Sequence, residues 1–395
     1  MSAATTTPHT SWPTVKLGDV CELNRGLTYK KTDEVLDSSI KVLRSNNIDL
    51  ESNSLDLSEV KCLRDDLKIA KDKFVLKDSI LMCMANGSKI HLGKVALIDT
   101  DELFAFGGFM GLLVPKGINP KFLYFTLCSP IFKDYVGALQ DGANINNLKF
   151  SDISNYPILL PPLEVQREIV AKVEAGLKEA DGLVAHFKRL AALADDTFKA
   201  ELDETFSTLN APTVKLGDVC EEIRERISTD VISLETYITT DNMLKSCGGV
   251  RVAESLPPNT SLVHYKTGDV LLSNIRPYLK KLWCATCDGG CSSDVIVFRS
   301  SRDDLDSNYL YQVLSQEAFF DYVMQNVSGT KMPRGKREWI KDFTFPLPSL
   351  DIQREIVGKL EAVKARCEQL KGEAARGLKA AEALRKAVLA EAFEQ

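Results

Sequence analysis

Lys331, Arg334, Lys336 and Arg337 crowd into one short stretch, GTKMPRGKRE, punctuated by Gly329, Pro333 and Gly335. Four cations on such a loop can neutralise phosphates, and the glycines let backbone amides approach phosphate oxygens. An earlier stretch, GANINNLK, has the same Gly-led character but carries amides and one cation: Asn144, Asn146, Asn147 and Lys149. An Asn amide pairs bidentately with adenine and a guanidinium with guanine. The two loops therefore differ as readers of two different nucleic-acid targets would.

Two more pairs of stretches have this polar make-up. LLSNIRPYLKKLW holds Asn274, Arg276, Tyr278, Lys280 and Lys281, and LMCMANGSKIHLGK holds Asn86, Ser88, Lys89 and His91. LRSNNI supplies Arg44, Ser45, Asn46 and Asn47, against Thr239, Thr240, Asp241 and Asn242 in ITTDNM. The first of these pairs follows a strand, so a strand end is the element expected to present it.

Catalytic chemistry is not legible. GTKMPRGKRE departs from a phosphate-binding G-x-x-x-x-G-K-[ST] loop in both spacing and the final hydroxyl. No Gly-rich strand–turn–helix suits a nucleotide or S-adenosylmethionine, and no Asn/Asp-Pro-Pro-aromatic motif occurs. His9, His91, His186 and His264 stand apart, without metal-ligand spacing. Cys284, Cys287 and Cys291 include one C-x2-C pair, but a closed zinc site needs a fourth ligand and usually a second close pair. The expectation is reduced thiols and no bound metal or cofactor.

The elements that must position these residues are written twice. TVKLGDVCE begins at Thr14 and again at Thr213. LPPLEVQREIVAKVEA (from Leu160) returns as LPSLDIQREIVGKLEA (from Leu347), and Gly142 and Gly329 open the two polar loops at that same offset of 187 residues. The first stretch between these edges is about a dozen residues the longer. Alike edges around unlike middles imply one frame carrying two different readers.

SIKVLRS, KVALID, GLLVP, GDVLLSNI and SDVIVFRS read as strands. NPKFLYFTLCSPIFKDYV and DSNYLYQVLSQEAFFDYV have aromatics at helical spacing, best explained as core. Beyond each proline step the period changes. Val170, Val173, Leu177, Ala180, Val184, Phe187, Ala191, Ala194 and Phe198 alternate intervals of three and four. Ile356, Leu360, Val363, Cys367, Leu370 and Ala374 continue likewise, then Ala381, Leu384 and Val388 after Gly377. That is a coiled-coil seam, on helices of over 40 residues, roughly 65 Å long at 1.5 Å per residue. Each helix is the economical partner for the other, and the short break at Asn210–Pro212 favours an antiparallel pair.

A net charge of −6 argues weakly against a polyanionic partner, because clustering decides binding more than the total. No apolar run approaches the ~18 residues of a membrane span, and MSAATTTPHTSWP lacks signal-peptide character. A cytoplasmic chain with a loose leader is expected.

This arrangement resembles the specificity (S) subunits of type I restriction–modification systems, with two L-P-x-L-x-[VI]-Q-R-E-I-V helices each behind a KLGDV-led domain. The resemblance covers the chain from Trp12 onward. It implies an α+β fold: mixed α/β target recognition domains at 14–160 and 209–347, a leader at 1–13, and an antiparallel two-helix coiled coil from 161–208 and 348–395, pseudo-twofold symmetric. It further implies a non-catalytic chain whose two domains each read half of a split, asymmetric duplex site. The helices would set the unread spacer and dock two methyltransferase (M) subunits, with restriction/motor (R) subunits joining through them. S-adenosylmethionine, ATP and magnesium would bind those partners, and no small-molecule substrate or membrane is implied here. Service in another methyltransferase–nuclease or modification-only complex is the alternative. A coiled-coil scaffold that binds proteins is the reading from a different class.

Overall fold

The structure, a computed structural model, describes residues 12–140, 147–258 and 260–393. The chain divides into two compact units, Met1–Phe187 with Arg376–Gln395, and Lys188–Ala375. Two long helices, Leu163–Ser207 and Leu350–Phe393, each contribute to both.

In each unit the repeated phrase is a clasp. Thr14–Lys16 pairs antiparallel with Pro157–Leu159, and Thr213–Lys215 with Thr344–Pro346, so the way in is tied to the way out just before the long helix begins. The next turn buries Leu17 and Val20 in one unit, Leu216 and Val219 in the other. Cys21 and Cys220 follow, also buried.

Behind the clasp stands a four-stranded antiparallel sheet of the same order in both units. In the first it runs Cys21–Arg25, Met110–Pro115, Ile80–Cys83, Val95–Leu97; in the second Cys220–Glu222, Val295–Ser300, Val270–Ser273, Leu282–Cys284. Its inner strands carry apolar residues on both faces because both faces are covered. Ile80 and Met82 pack with Phe122 and Leu123 on one side, while Leu81 and Cys83 pack with Phe104 and Phe106 on the other. Val270 and Leu272 divide from Leu271 in the same way. This is the period-two alternation of a strand with two buried faces.

The second sheet differs between units. In the first, Ile40–Leu43 lies between Lys61–Leu63 and Phe104–Phe106; in the second, Gly289–Cys291 lies between Ser261–Tyr265 and Tyr237–Ile238. The divergent middle thus supplies strands both to a sheet whose order is shared and to one whose order is not.

The aromatic segments are each two helices: Pro120–Cys128 and Pro130–Gln140, then Ser307–Ser315 and Glu317–Met324. Ser129 stays extended because the residue before a proline is driven out of the helical region. Asn119 and Asp306 cap the leading helices, each accepting two backbone N–H groups with its side-chain oxygen.

Within the first unit, Gly176 lies against Val388, Asp181 faces Arg385 and Gly377 faces Phe187. Within the second, Asp195 pairs with Lys371 at 2.9 Å and Glu201 with Lys359 at 2.6 Å. One helix's numbering falls as the other's rises, so the pairing is antiparallel in both units. Gly377 leaves room for the Phe187 ring: a Cβ there would meet the ring and oblige it to shift, which accounts for a residue whose helix-propensity cost is about 1 kcal/mol. Val170, Val173, Ala180, Ala194, Ile356, Leu360, Cys367, Ala374 and Ala381 are buried on the seam. Leu384 is a correction: it stays 37% exposed. Beyond it the helix packs onto the first unit's core through Val388, Leu389 and Phe393.

Candidate nucleic-acid interface

The three polar stretches of each half, distant in sequence, converge on one place in each unit. In the first, the strand Ile80–Cys83 runs on to Met84 and Ala85, and Ala85 bridges antiparallel to Asn147. The Leu148 amide donates to the Met84 carbonyl at 2.7 Å. Asn86 then donates through Nδ2 to Ser45 Oγ at 3.0 Å, drawing in the third stretch. In the second unit Ile275 bridges to Arg334, the Arg276 amide donates to Pro333 O at 2.8 Å, and Lys281 Nζ donates to Thr240 O.

Six buried side-chain N or O atoms lack a hydrogen-bond partner among the described residues, and four lie on these stretches: Arg44 Nε, His91 Nδ1, Asn274 Oδ1 and Arg276 Nε. An orphaned polar atom costs about 1–3 kcal/mol, so their recurrence on these stretches, two in each unit, marks surfaces built for something other than stability. Backbone strain gathers there too. Arg276 and Lys280 flank the turn Pro277–Leu279 in the left-handed region, with φ of 51° and 50°. The turn is pinned by the Ser246 and Cys247 amides, which donate to Leu279 and Lys280 carbonyls, and by an ion pair of Lys280 with Glu317.

The individual residues separate into those facing solvent and those turned inward. Asn46, Ser88, Lys89, Asn147, Lys149, Tyr278, Lys331, Arg334 and Lys336 are exposed. Arg334 approaches Asp294 at 3.4 Å. Arg44, Asn86, Thr240, Arg276 and Lys280 are half-buried. Asn144 and Asn146 lie outside the described residues.

Asn47 and Asn242 are corrections. They are 1% and 3% exposed, and their amides are spent inside the fold. Asn47 Nδ2 donates to Asp56 O and Glu59 O, and its Oδ1 accepts the Arg44 amide. Asn242 donates to Tyr237 O and accepts from Thr239 N. Both shape the turn that presents their neighbours. Arg337 is likewise committed inward: its guanidinium pairs with Glu222 and donates to Ser293 O at 3.0 Å. The Glu222 side chain is almost fully covered and also meets Lys341 at 3.2 Å and Arg224 at 3.3 Å. Burial opposes its ionisation, yet these cations hold its carboxyl below the ordinary carboxylate range. Asn274, also buried, leaves its amide oxygen beside Gly335 of the basic loop.

Cys284 and Cys291 lie on strands of different sheets in the second unit. Burial pushes their thiols up to about 11 and about 12, so they stay protonated near neutrality. Among the described residues no three His, Cys, Asp or Glu side chains converge as metal ligands, and no helix is long and apolar enough to cross a membrane.

Sequence reasoning missed a cleft beside Arg44, walled by Tyr29 and Phe109 and edged by Lys31 and Lys61. It also missed Gln166 and Gln353, buried in the start of each long helix. The recurrence of QREIV was their signal.

Comparison with known proteins agrees with this geometry. Residues 10–180 and 211–376 match the family model described as type I restriction modification DNA specificity domain. The type I restriction enzyme StySPI specificity subunit of Salmonella potsdam is 23% identical over 97% of this chain and 88% of its own length. The EcoKI specificity subunit of Escherichia coli K12 is 29% identical over 45% of this chain and 39% of its own. Among solved structures, the HsdS subunit from Thermoanaerobacter tengcongensis superposes with a TM-score of 0.59 at 20% identity, covering 97% of this chain and 96% of that one. A chain from a study of complex assembly and conformational transition of the type I R-M system reaches 0.72 at 20% identity, covering 99% of both chains. These two likenesses concern the fold.

Proposed function

The chain belongs to the type I restriction–modification DNA specificity family, and on that premise we propose that it is the double-stranded-DNA-reading subunit of such a complex. Residues 14–160 and 209–347 act as two target recognition domains, each addressing one half of a bipartite asymmetric site. Residues 161–208 and 348–395 form the pseudo-twofold coiled coil that sets the unread spacer and docks two methyltransferase subunits, through which restriction subunits join. Methylation, ATP hydrolysis and cleavage belong to those partners, as do S-adenosylmethionine, ATP and magnesium; the complex works in the cytoplasm.

One observation carries this reading: the bridges Ala85–Asn147 and Ile275–Arg334 bring equivalent polar stretches together on equivalent strands, with different side chains in each unit. Like frames with unlike tips suit two half-sites of different sequence. The surfaces offered to DNA are Arg44, Asn46, Asn86, Ser88, Lys89, Asn147 and Lys149 in the first unit, with Asn144 and Asn146 proposed from sequence. In the second they are Thr240, Asn274, Arg276, Tyr278, Lys280, Lys331, Arg334 and Lys336. Single-molecule sequencing of methylated bases, with the gene present and deleted, tests the reading. A split motif should vanish on deletion; an unchanged methylation pattern would contradict it.

A further inference from the structure

The cleft beside Arg44 encloses about 690 Å³. Its floor is two strands of backbone in close approach. The Leu27 amide donates to Phe106 O at 2.7 Å and the Gly107 amide to Leu43 O at 2.9 Å. A Cβ on Gly26 would run into the Gly107 carbonyl, so this floor exists only because Gly26 has none. From it, the turn through Gly107 and Gly108 presents Phe109 outward, 73% exposed. The turn cannot drift, because the Phe109 carbonyl accepts the Met84 and Ala85 amides at 2.9 and 3.1 Å. A large ring thus stands in water, on rigid backbone, at the point where the first unit's polar stretches meet.

On the same cleft, Arg44 is held rather than free. One guanidinium nitrogen lies 3.7 Å from Glu34, and its Nε is buried with no hydrogen-bond partner. Lys31, Lys61 and Arg44 set three cations against the single carboxylate of Glu34 along this cleft. Such a charge balance favours a polyanion over an apolar protein segment. In the second unit the same backbone position belongs to Asp294, whose carbonyl accepts the Asn274 amide at 2.8 Å. There the side chain faces Arg334. One frame position therefore carries a phenyl ring in one reader and an ion-paired carboxylate in the other.

We propose that Phe109 and Arg44 form a base-reading subsite of the first unit, in which Phe109 packs on the C5-methyl of a thymine and Arg44 donates to the O6/N7 edge of a neighbouring guanine. In the major groove the thymine methyl is the apolar mark, and guanine alone shows two adjacent acceptors. A pre-oriented, half-buried guanidinium suits edge reading, while the rim lysines suit phosphates. This inference rests on the DNA-reading function proposed above.

The test uses the complete complex with its methyltransferase. The motif is first mapped in cells carrying the wild-type chain, then with Phe109→Ala and Arg44→Lys. Each variant should relax one position of the same half-site, by about tenfold in methylation rate, and leave the other half-site intact. With the wild-type complex, duplexes carrying uracil for that thymine, or 7-deazaguanine for that guanine, should lose as much. Uracil should cost the Phe109→Ala complex nothing further, the non-additivity expected of groups in contact. A strict, unchanged motif in both variants overturns the subsite. So does weakening spread evenly over all positions, which makes Arg44 a phosphate contact. So does lost subunit assembly with Phe109→Ala, which makes the ring a protein contact. A wild-type complex that methylates no split motif overturns the wider reading and the subsite together.

Discussion

The side-chain oxygen of Gln353 accepts the backbone N–H of Asp306 at 2.9 Å, as Gln166 accepts that of Asn119 at 2.7 Å. Each donor is the capping residue of a core helix. Each Gln also donates back to the proline step before its own helix, Pro348 O at 2.8 Å or Pro161 O at 2.7 Å. The recurring Gln of QREIV is thus the bolt between a long helix and its globular unit. Gln353→Ala would orphan the Asp306 amide and the Asp304 and Pro348 carbonyls. A loss of about 2–3 kcal/mol is expected, since each buried unsatisfied group costs about 1–3 kcal/mol. Denaturant melts check this; a loss under about 0.5 kcal/mol, the range of neutral surface changes, would contradict it.

Each long helix ends in an aromatic that closes a core. Phe206 meets Tyr309 with ring centroids 5.7 Å apart, and Phe393 meets Phe122 at 5.5 Å. Phe206→Ala should cost the second unit about 3–4 kcal/mol. Phe393→Ala should cost the first unit less, because Phe393 is only half-buried. Hydrogen exchange followed in each unit separately should find each loss confined to the unit named.

The basic loop divides between binding and folding. Lys331 and Lys336 are exposed, so changing both to Ala should weaken cognate and non-cognate DNA alike. The slope of log K against log salt should fall by nearly 2, about 0.9 per phosphate contact. Arg337→Ala should act differently, lowering stability through its lost pairing with Glu222. An unchanged slope in the double variant would remove both lysines from the phosphate contacts.

Glu222 also predicts an acid limb of stability. Its carboxyl is held low in the folded chain, so the unfolded chain takes up the proton first. Its contribution is therefore complete above the unfolded pKa, about 4.3, and is lost as pH falls through the lower folded value. Wild type should lose its advantage over Glu222→Gln as pH drops below about 5. Parallel stability curves for the two chains would contradict this.

Much of this could be read beforehand, for reasons visible in particular residues. The seam was legible because burial on a helix imposes three- and four-residue spacing. The frame strands were legible because Val, Ile and Leu runs ended at Gly, Asn or Pro. Asn47 and Asn242 misled because an Asn that shapes a turn and one that reads a base have the same composition; only the fold decides which way the amide faces. Arg337 looked free because Glu222 lies over a hundred residues away. Phe109 was silent, since one aromatic after two glycines has no period. Leu384 obeyed the heptad, yet its side chain stays partly in water.

On the reading proposed here, two like units address two different short DNA words, one each. Replacing residues 14–150 with the matching segment of another family member, then sequencing methylated bases in cells expressing the hybrid complex, tests it most directly. A new sequence is expected in one half of the motif and the original sequence in the other. A change in both halves, or in neither, would contradict it.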